Sequence, residues 1–362
     1  MTSKLRITYE ELRNPEVDQV LKRQAEELTL RMGMATRTAE PQKVSLIHKS
    51  WFNLMIAGAL GAFIAWAVFE PYFDDELVSV GQGFIAILMI FSVGGLTGLM
   101  IGCMEGILAR NSVRALKAGG LGFLVGFGGG FVSVMVTGMI FQIINPLGVA
   151  IVGQEAAENP GLHLSGFLLL VIRRSLIWAG VFMAVGLGPG IALKSKKLAM
   201  NGFLGGLIGG AIGGFLFDPI NYIVSGGTLM FGAEISRAIG FSVVGGCAGL
   251  MMGLVEMISK EAWLVMTEGP LKGKQFIIYK DPTLIGSSPR SEIYLFKDPA
   301  IEPAHAVIHT IRDGYEIEDK DTPDGTWING QRIKRKRLMT GDEIRIGKAR
   351  FTYSERAKRP SA

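Results

Sequence analysis

Six long apolar stretches between residues 51 and 258 constrain this chain more than any other feature, because they dictate the solvent it folds in. They lie near 51–69, 84–108, 118–143, 167–193, 199–217 and 238–258, and each is long enough to cross a hydrocarbon core of about 30 Å. Lipid offers the backbone no hydrogen-bond partners, so such segments must satisfy their own N–H and C=O groups as helices. The residues on either side, 1–50 and 260–362, are rich in charge instead. The chain is expected to divide into a polar arm (1–50), a six-span α-helical polytopic membrane domain (51–260), a β-rich domain (262–355) and a short tail (356–362).

The arm is polar and mixed in charge, and the first apolar run comes too late for a cleavable signal, so the first span is expected to stay as an anchor. One set of connections carries Arg110, Arg114 and Lys117, then Lys194, Lys196 and Lys197, then Lys260. The other carries Glu70, Asp74, Asp75 and Glu76, then Glu155 and Glu158, then Asp218 and Glu234, with Arg237 at a span boundary. Basic loops stay inside, so both termini are placed in the cytoplasm, at a bacterial plasma membrane. Cys103 and Cys247 fall within spans with no His or second Cys at ligand spacing, which argues against a metal site and for small packing residues. No cofactor is expected. The net charge of +5 suits basic residues beside anionic lipid, and is too diffuse for nucleic acid.

The odd-numbered spans end alike, in Phe69-Glu70-Pro71, Ile144-Asn145-Pro146 and Phe217-Asp218-Pro219. Proline cannot continue a helix's hydrogen-bond ladder, so these read as stop signals at the outer boundary. The even spans also end in related ways: Gly102-Cys103-Met104-Glu105 before Arg110, Gly186-Leu187-Gly188-Pro189 before Lys194, and Gly253-Leu254-Val255-Glu256 before Lys260. Asn53 and Asn201 each stand eighteen residues before their proline. Together these suggest three tandem hairpins, roughly 51–110, 111–197 and 198–260, arisen by duplication. Glycines recur at steps of four: Gly94, Gly98, Gly102 and Gly106; Gly122, Gly126 and Gly130; Gly205, Gly209 and Gly213 beside Gly206, Gly210 and Gly214; and Gly245, Gly249 and Gly253. That spacing lines one helix face and permits the close backbone approach on which helix association in lipid relies. A compact six-helix bundle follows, with faces that slide, gate a pore or assemble a homo-oligomer as the functional alternative.

Charges inside spans would favour transport. Glu105 and Glu256 sit near the cytoplasmic boundary and Arg173 and Arg174 near the outer one, so snorkelling or pairing at the interface is expected of all four. No polar, unwound midplane motif or intramembrane carboxylate pair points to a transporter. In the arm, Asn14-Pro15-Glu16 reads as a helix start before Val17, Val20, Leu21 and Leu28, with a connector at 34–50 containing Thr36, Thr38 and Pro41.

From 263 to 353 the pattern changes to short alternating segments at Trp263–Met266, Gln275–Tyr279, Thr283–Ile285, Ile293–Leu295, Ala306–His309, Tyr315–Asp319, Thr326–Ile328, Ile344–Ile346 and Arg350–Tyr353. Turn signals separate them, Asn329-Gly330 foremost, with Asp313-Gly314 and Gly341-Asp342. This is the signature of an all-β sandwich.

The order of Ile285-Gly286, Ile293, His305-Ala306, Gly325-Thr326, Ile328-Asn329-Gly330, Leu338, Gly341-Asp342 and Ile346-Gly347 resembles the forkhead-associated (FHA) domain family, with Asp324 to Gly330 the most telling run. The resemblance implies a module that reads phosphothreonine, with Gly286, His305, Gly325, Thr326, Asn329 and Gly330 as architectural positions. In that family an arginine after the first glycine and a serine three residues before the histidine hold phosphate. An asparagine before Gly-Thr holds the peptide backbone. Here those positions are Ser287, Glu302, followed by Pro303, and Asp324. A phosphothreonine carries about −1.5 to −2 and needs cationic or donor partners, so two carboxylates beside it repel it. Arg290, three residues after Ser287, is the remaining candidate cation. The run Lys334, Arg335, Lys336 and Arg337 is either a solvated face or a contact with anionic headgroups.

The four histidines are scattered and the glycine runs lack the strand-turn-helix setting of a nucleotide loop, so an enzyme is not expected. Three readings remain. The first is a membrane scaffold presenting an FHA-like module to an unidentified cytoplasmic or membrane protein, without phosphothreonine. The second is a channel or transporter-like component regulated or assembled by that module. The third is phosphothreonine-dependent signalling.

Overall fold

The computed structural model describes residues 49–72, 80–224 and 234–356, without the side chains of 80–82. All belong to one compact unit, Ser45–Ala362. The helix and all but the last two residues of the connector expected in the arm, the acidic residues 74–76 and most of the tail lie outside the described residues.

Among the described residues, seven α-helices lead into a β-sandwich: α1 (Ser50–Phe69), α2 (Val80–Leu108), α3 (Ser112–Val152), α4 (Gln154–Glu158), α5 (Leu164–Ala192), α6 (Lys196–Val224) and α7 (Glu234–Ser259). All but the five-residue α4 are long and apolar enough to cross a membrane. α3 and α6 outrun the expected spans because their prolines do not stop them, whereas α1 ends at Phe69 as expected. Pro146 and Pro219 lie inside α3 and α6, and Pro71 sits in the 3-10 turn Glu70–Tyr72. Each internal proline removes one N–H, whereas unwinding the last turn would strip several backbone groups of partners.

That correction moves Asp218 out of a loop and into α6, where it is 2% exposed and lies 3.0 Å from Arg174 of α5. Arg174 is accordingly paired between helices, its guanidinium 4.6 Å above the Phe217 ring. Glu70 and Arg237 form a second such pair between the ends of α1 and α7, their side chains 9% and 11% exposed.

Each long helix packs on its chain neighbours, α7 returns to α1, and α2, α5 and α7 also meet one another. Val93, Val181, Phe182, Val185 and Val244, all fully buried, join one apolar cluster in the middle. The closest seams are α2–α3, α5–α6 and α7–α1. At one end of each a Cβ would strike the facing backbone: on Gly106, 2.3 Å from Ala115 N; on Gly190, 2.2 Å from Ala199 N; on Gly253, 2.2 Å from Trp51 Cα. Gly98 and Gly102 also face α3, Gly249 faces α1, and Gly205, Gly209 and Gly213 face α7. The turns joining α2 to α3 and α5 to α6 are built alike. Arg110 and Lys194 have φ of 51° and 54°, and the Asn111 and Ser195 amides donate to the Gly106 and Gly190 carbonyls at 2.8 and 2.9 Å.

The sandwich comprises β1 (Ala262–Glu268), β2 (Gln275–Ile277), β3 (Thr283–Gly286), β4 (Ile293–Tyr294), β5 (Ala306–Ile311), β6 (Gly314–Asp319), β7 (Thr326–Ile328), β8 (Gln331–Ile333), β9 (Arg335–Arg337), β10 (Glu343–Ile346) and β11 (Ala349–Glu355). One sheet runs β2-β1-β11-β10-β7-β8 and the other β4-β3-β5-β6-β9. Alternation buries Leu264, Met266, Ile285, Ile308, Ile317, Ile328, Ile344 and Phe351 between them.

The sandwich meets the bundle through the segment around β2, the loop before β4 and the residues flanking β1 and β11. Lys334 to Arg337 occupy the β8–β9 edge, four strands beyond β4, or about 19 Å at ~4.8 Å per strand. Arg335 pairs with Glu316, Arg337 donates to the Asp313 carbonyl and Lys334 lies 3.4 Å from Asp321. These contacts hold the run partly against the sandwich itself.

Candidate interaction face

The family's ligand positions cluster on three loops, β3–β4, β4–β5 and β6–β7. Gly286 ends β3 where a Cβ would lie 2.2 Å from the Pro303 carbonyl oxygen, so only glycine lets these loops close up. They are then laced together: Ser287 N donates to Glu302 O at 3.0 Å, and the Ser291 hydroxyl to Pro303 O at 3.2 Å.

Beneath the loops lies a buried polar knot. His305 is fully buried, accepts from Glu302 N at Nδ1 (3.3 Å), and places Nε2 within 3.3 Å of Gly325 O and 3.1 Å of the Thr322 hydroxyl. Its ring thus ties the β4–β5 loop to the β6–β7 loop. Asp319 accepts from the Thr322 and Thr326 hydroxyls, both at 2.8 Å, and from Thr322 N at 3.0 Å. Burial pushes the Asp319 carboxyl up, but these hydrogen bonds outweigh it and hold the group below the ordinary aspartate value. Gly325 has φ +71°, and Arg332 packs against it while donating to Thr322 O at 2.8 Å. Asn329 and Gly330 have φ of 52° and 79°, as their two-residue turn requires, and the Asn329 amide binds Asp342 Oδ1 at 2.7 Å.

Above the knot, Arg290, Glu302 and Asp324 are exposed and Ser287 is half-buried. Glu302 and Asp324 make no ion pair among the described residues. The face therefore presents two free carboxylates, one serine and one arginine, a set that can accept from cationic or amide groups and offers phosphate few donors.

Sequence reasoning missed the seam between this sandwich and the helices. At the α2–α3 turn, Asn111 accepts from Arg114 N at 3.0 Å and donates through Nδ2 to Pro289 O at 2.8 Å, while Arg114 donates to Glu292 O at 2.8 Å. At the matching α5–α6 turn, Ser195 caps Leu198 N and donates to Tyr279 O, both at 3.2 Å. Glu256, expected to snorkel or pair, accepts from Tyr279 at 2.5 Å and Ser50 at 2.7 Å. Burial, then the neighbouring Glu256, pushes the Tyr279 phenol up. Lys197 reaches Glu261 at 2.6 Å, and Lys274 lies 4.0 Å from Glu105 with burial lowering its pKa. The only available signal was polar capping residues in two like turns.

The family model of the FHA domain matches residues 283–347. An oxoglutarate dehydrogenase inhibitor of Corynebacterium efficiens is 32% identical over 108 residues, 30% of this chain and 75% of that protein. The glycogen accumulation regulator GarA of Mycolicibacterium smegmatis is 28% identical over 126 residues, 35% and 79% of the two chains. Among solved structures, one from a study of phosphothreonine-dependent FHA domain interactions is 18% identical, covering 27% of this chain and all of that one at a TM-score of 0.25.

Proposed function

This chain belongs to the FHA-domain family through its C-terminal sandwich, and from that premise we propose that it is an integral membrane scaffold presenting a protein-interaction module that does not rely on phosphothreonine. The observation that carries this reading is the contrast within one face. The His305–Asp319 knot beneath it is fully bonded, while Ser287, Glu302 and Asp324 stand at the ligand positions. Regulators among the relatives support a binding role over catalysis. The basic connections support a face on the cytoplasmic side of a bacterial plasma membrane, and a partner with cationic or amide groups suits its free carboxylates. Repeated contacts at the three glycine seams support a bundle built from a triplicated hairpin. The test is affinity capture from native membranes with the wild-type chain and with Glu302→Lys plus Asp324→Lys. Partners lost on charge reversal support the reading, and an unchanged partner set sinks it.

A channel or transporter-like role draws on the buried Arg174–Asp218 pair. The filled middle of the bundle argues for the scaffold. Ion flux through liposomes carrying the purified protein would reverse that preference.

A further inference from the structure

The loop that carries Ser287 and Arg290 is held from outside the sandwich. Two of its carbonyls, Pro289 O before Arg290 and Glu292 O after it, each accept a 2.8 Å hydrogen bond from the start of α3, from Asn111 Nδ2 and Arg114 Nη1. Asn111 is 3% exposed and uses both ends of its amide, Oδ1 to cap its own helix and Nδ2 to reach the loop. The matching residue Ser195 also reaches the sandwich, but at Tyr279, away from the ligand positions. The bundle thus has two like turns, of which one grips the recognition loop.

We propose that Asn111 and Arg114 are positioning residues for the interaction face, fixing the β3–β4 loop so that its partner-binding geometry is set by the α2–α3 turn. Resting on the reading of this face as a docking surface, the proposal makes any movement at that turn and any partner on the loop reciprocally linked. Substitution separates Asn111's two tasks. Asn111→Asp keeps the oxygen that caps Arg114 N and loses the N–H that reaches Pro289. Arg114→Lys keeps a cationic donor that Arg114→Ala removes.

The experiment is hydrogen exchange of the full chain in lipid nanodiscs, read on a peptide covering 286–295, whose amides at Ser287, Ser291 and Leu295 are bonded within the sandwich. Asn111→Asp and Arg114→Ala are each expected to speed exchange there by up to about tenfold, the worth of one typical hydrogen bond. Exchange across 112–118 stays unchanged in Asn111→Asp, Arg114→Lys recovers part of the loss, and Ser195→Ala leaves 286–295 as in wild type. Wild-type exchange in both Asn111→Asp and Arg114→Ala would overturn the proposal, as would equal loosening by Ser195→Ala. Loop exchange is measured without a partner, so its failure is distinct from failure of the charge-reversal capture.

Discussion

Replacing Asp319 by alanine should destabilise the sandwich out of proportion to the few atoms removed. The side chain is 5% exposed and accepts three hydrogen bonds from Thr322 and Thr326, which are 4% and 0% exposed. The substitution leaves two hydroxyls and one amide without their acceptor, each costing about 1–3 kcal/mol when buried. Even at the low end the sum is about 3 kcal/mol, a large part of the ~5–15 kcal/mol that typically holds a domain folded. Hydrogen exchange of the intact protein, under conditions where rates report the opening equilibrium, should show β5, β6 and β7 exchanging roughly 150-fold faster, at tenfold per 1.4 kcal/mol. Thr326→Val removes one donor and should give about tenfold or less. The pH dependence has a definite sign. The folded carboxyl lies below its unfolded value of about 3.9, so its stabilisation is complete above that pH and is lost as pH falls through the folded value. Asp319→Asn should remove that part of the acid sensitivity. Less than threefold faster exchange in Asp319→Ala would refute the knot as the support of the face.

Gly186→Leu places a side chain where even a Cβ would lie 1.9 Å from the Gly202 carbonyl, so it should abolish the folded bundle in detergent, read by size exclusion. Gly120→Leu, with open space around it, should not. Asp218→Ala leaves the Arg174 charge buried and should cost about 3–5 kcal/mol, read as a fall in melting temperature. Adding Arg174→Met should return most of that loss.

The sandwich was legible because strand periodicity and turn chemistry are local. Asn329-Gly330 and Gly341 specify their turns whatever surrounds them. The bundle was half legible. Apolar length marks six helices and glycine steps of four mark their seams, but helix ends were misread at Pro146 and Pro219. Proline's local penalty was outweighed there by the need to keep neighbouring backbone groups bonded in an apolar setting. Asp218 was misplaced for the same reason, since its partner Arg174 is distant in sequence. Within the site, the departures at Ser287, Glu302 and Asp324 could be read from the chain. The Asn111 and Arg114 contacts could not, because a capping residue looks the same whether or not its other end reaches a second domain.

On the proposed reading, the face does not recognise phosphothreonine. Titrating the intact protein with a degenerate phosphothreonine peptide library and its dephosphorylated counterpart puts that at risk. The expected result is no binding that depends on the phosphate, in wild type or in Arg290→Ala. Phosphate-dependent binding that disappears in Arg290→Ala would contradict it, with Arg290 taking the role that Ser287 cannot fill.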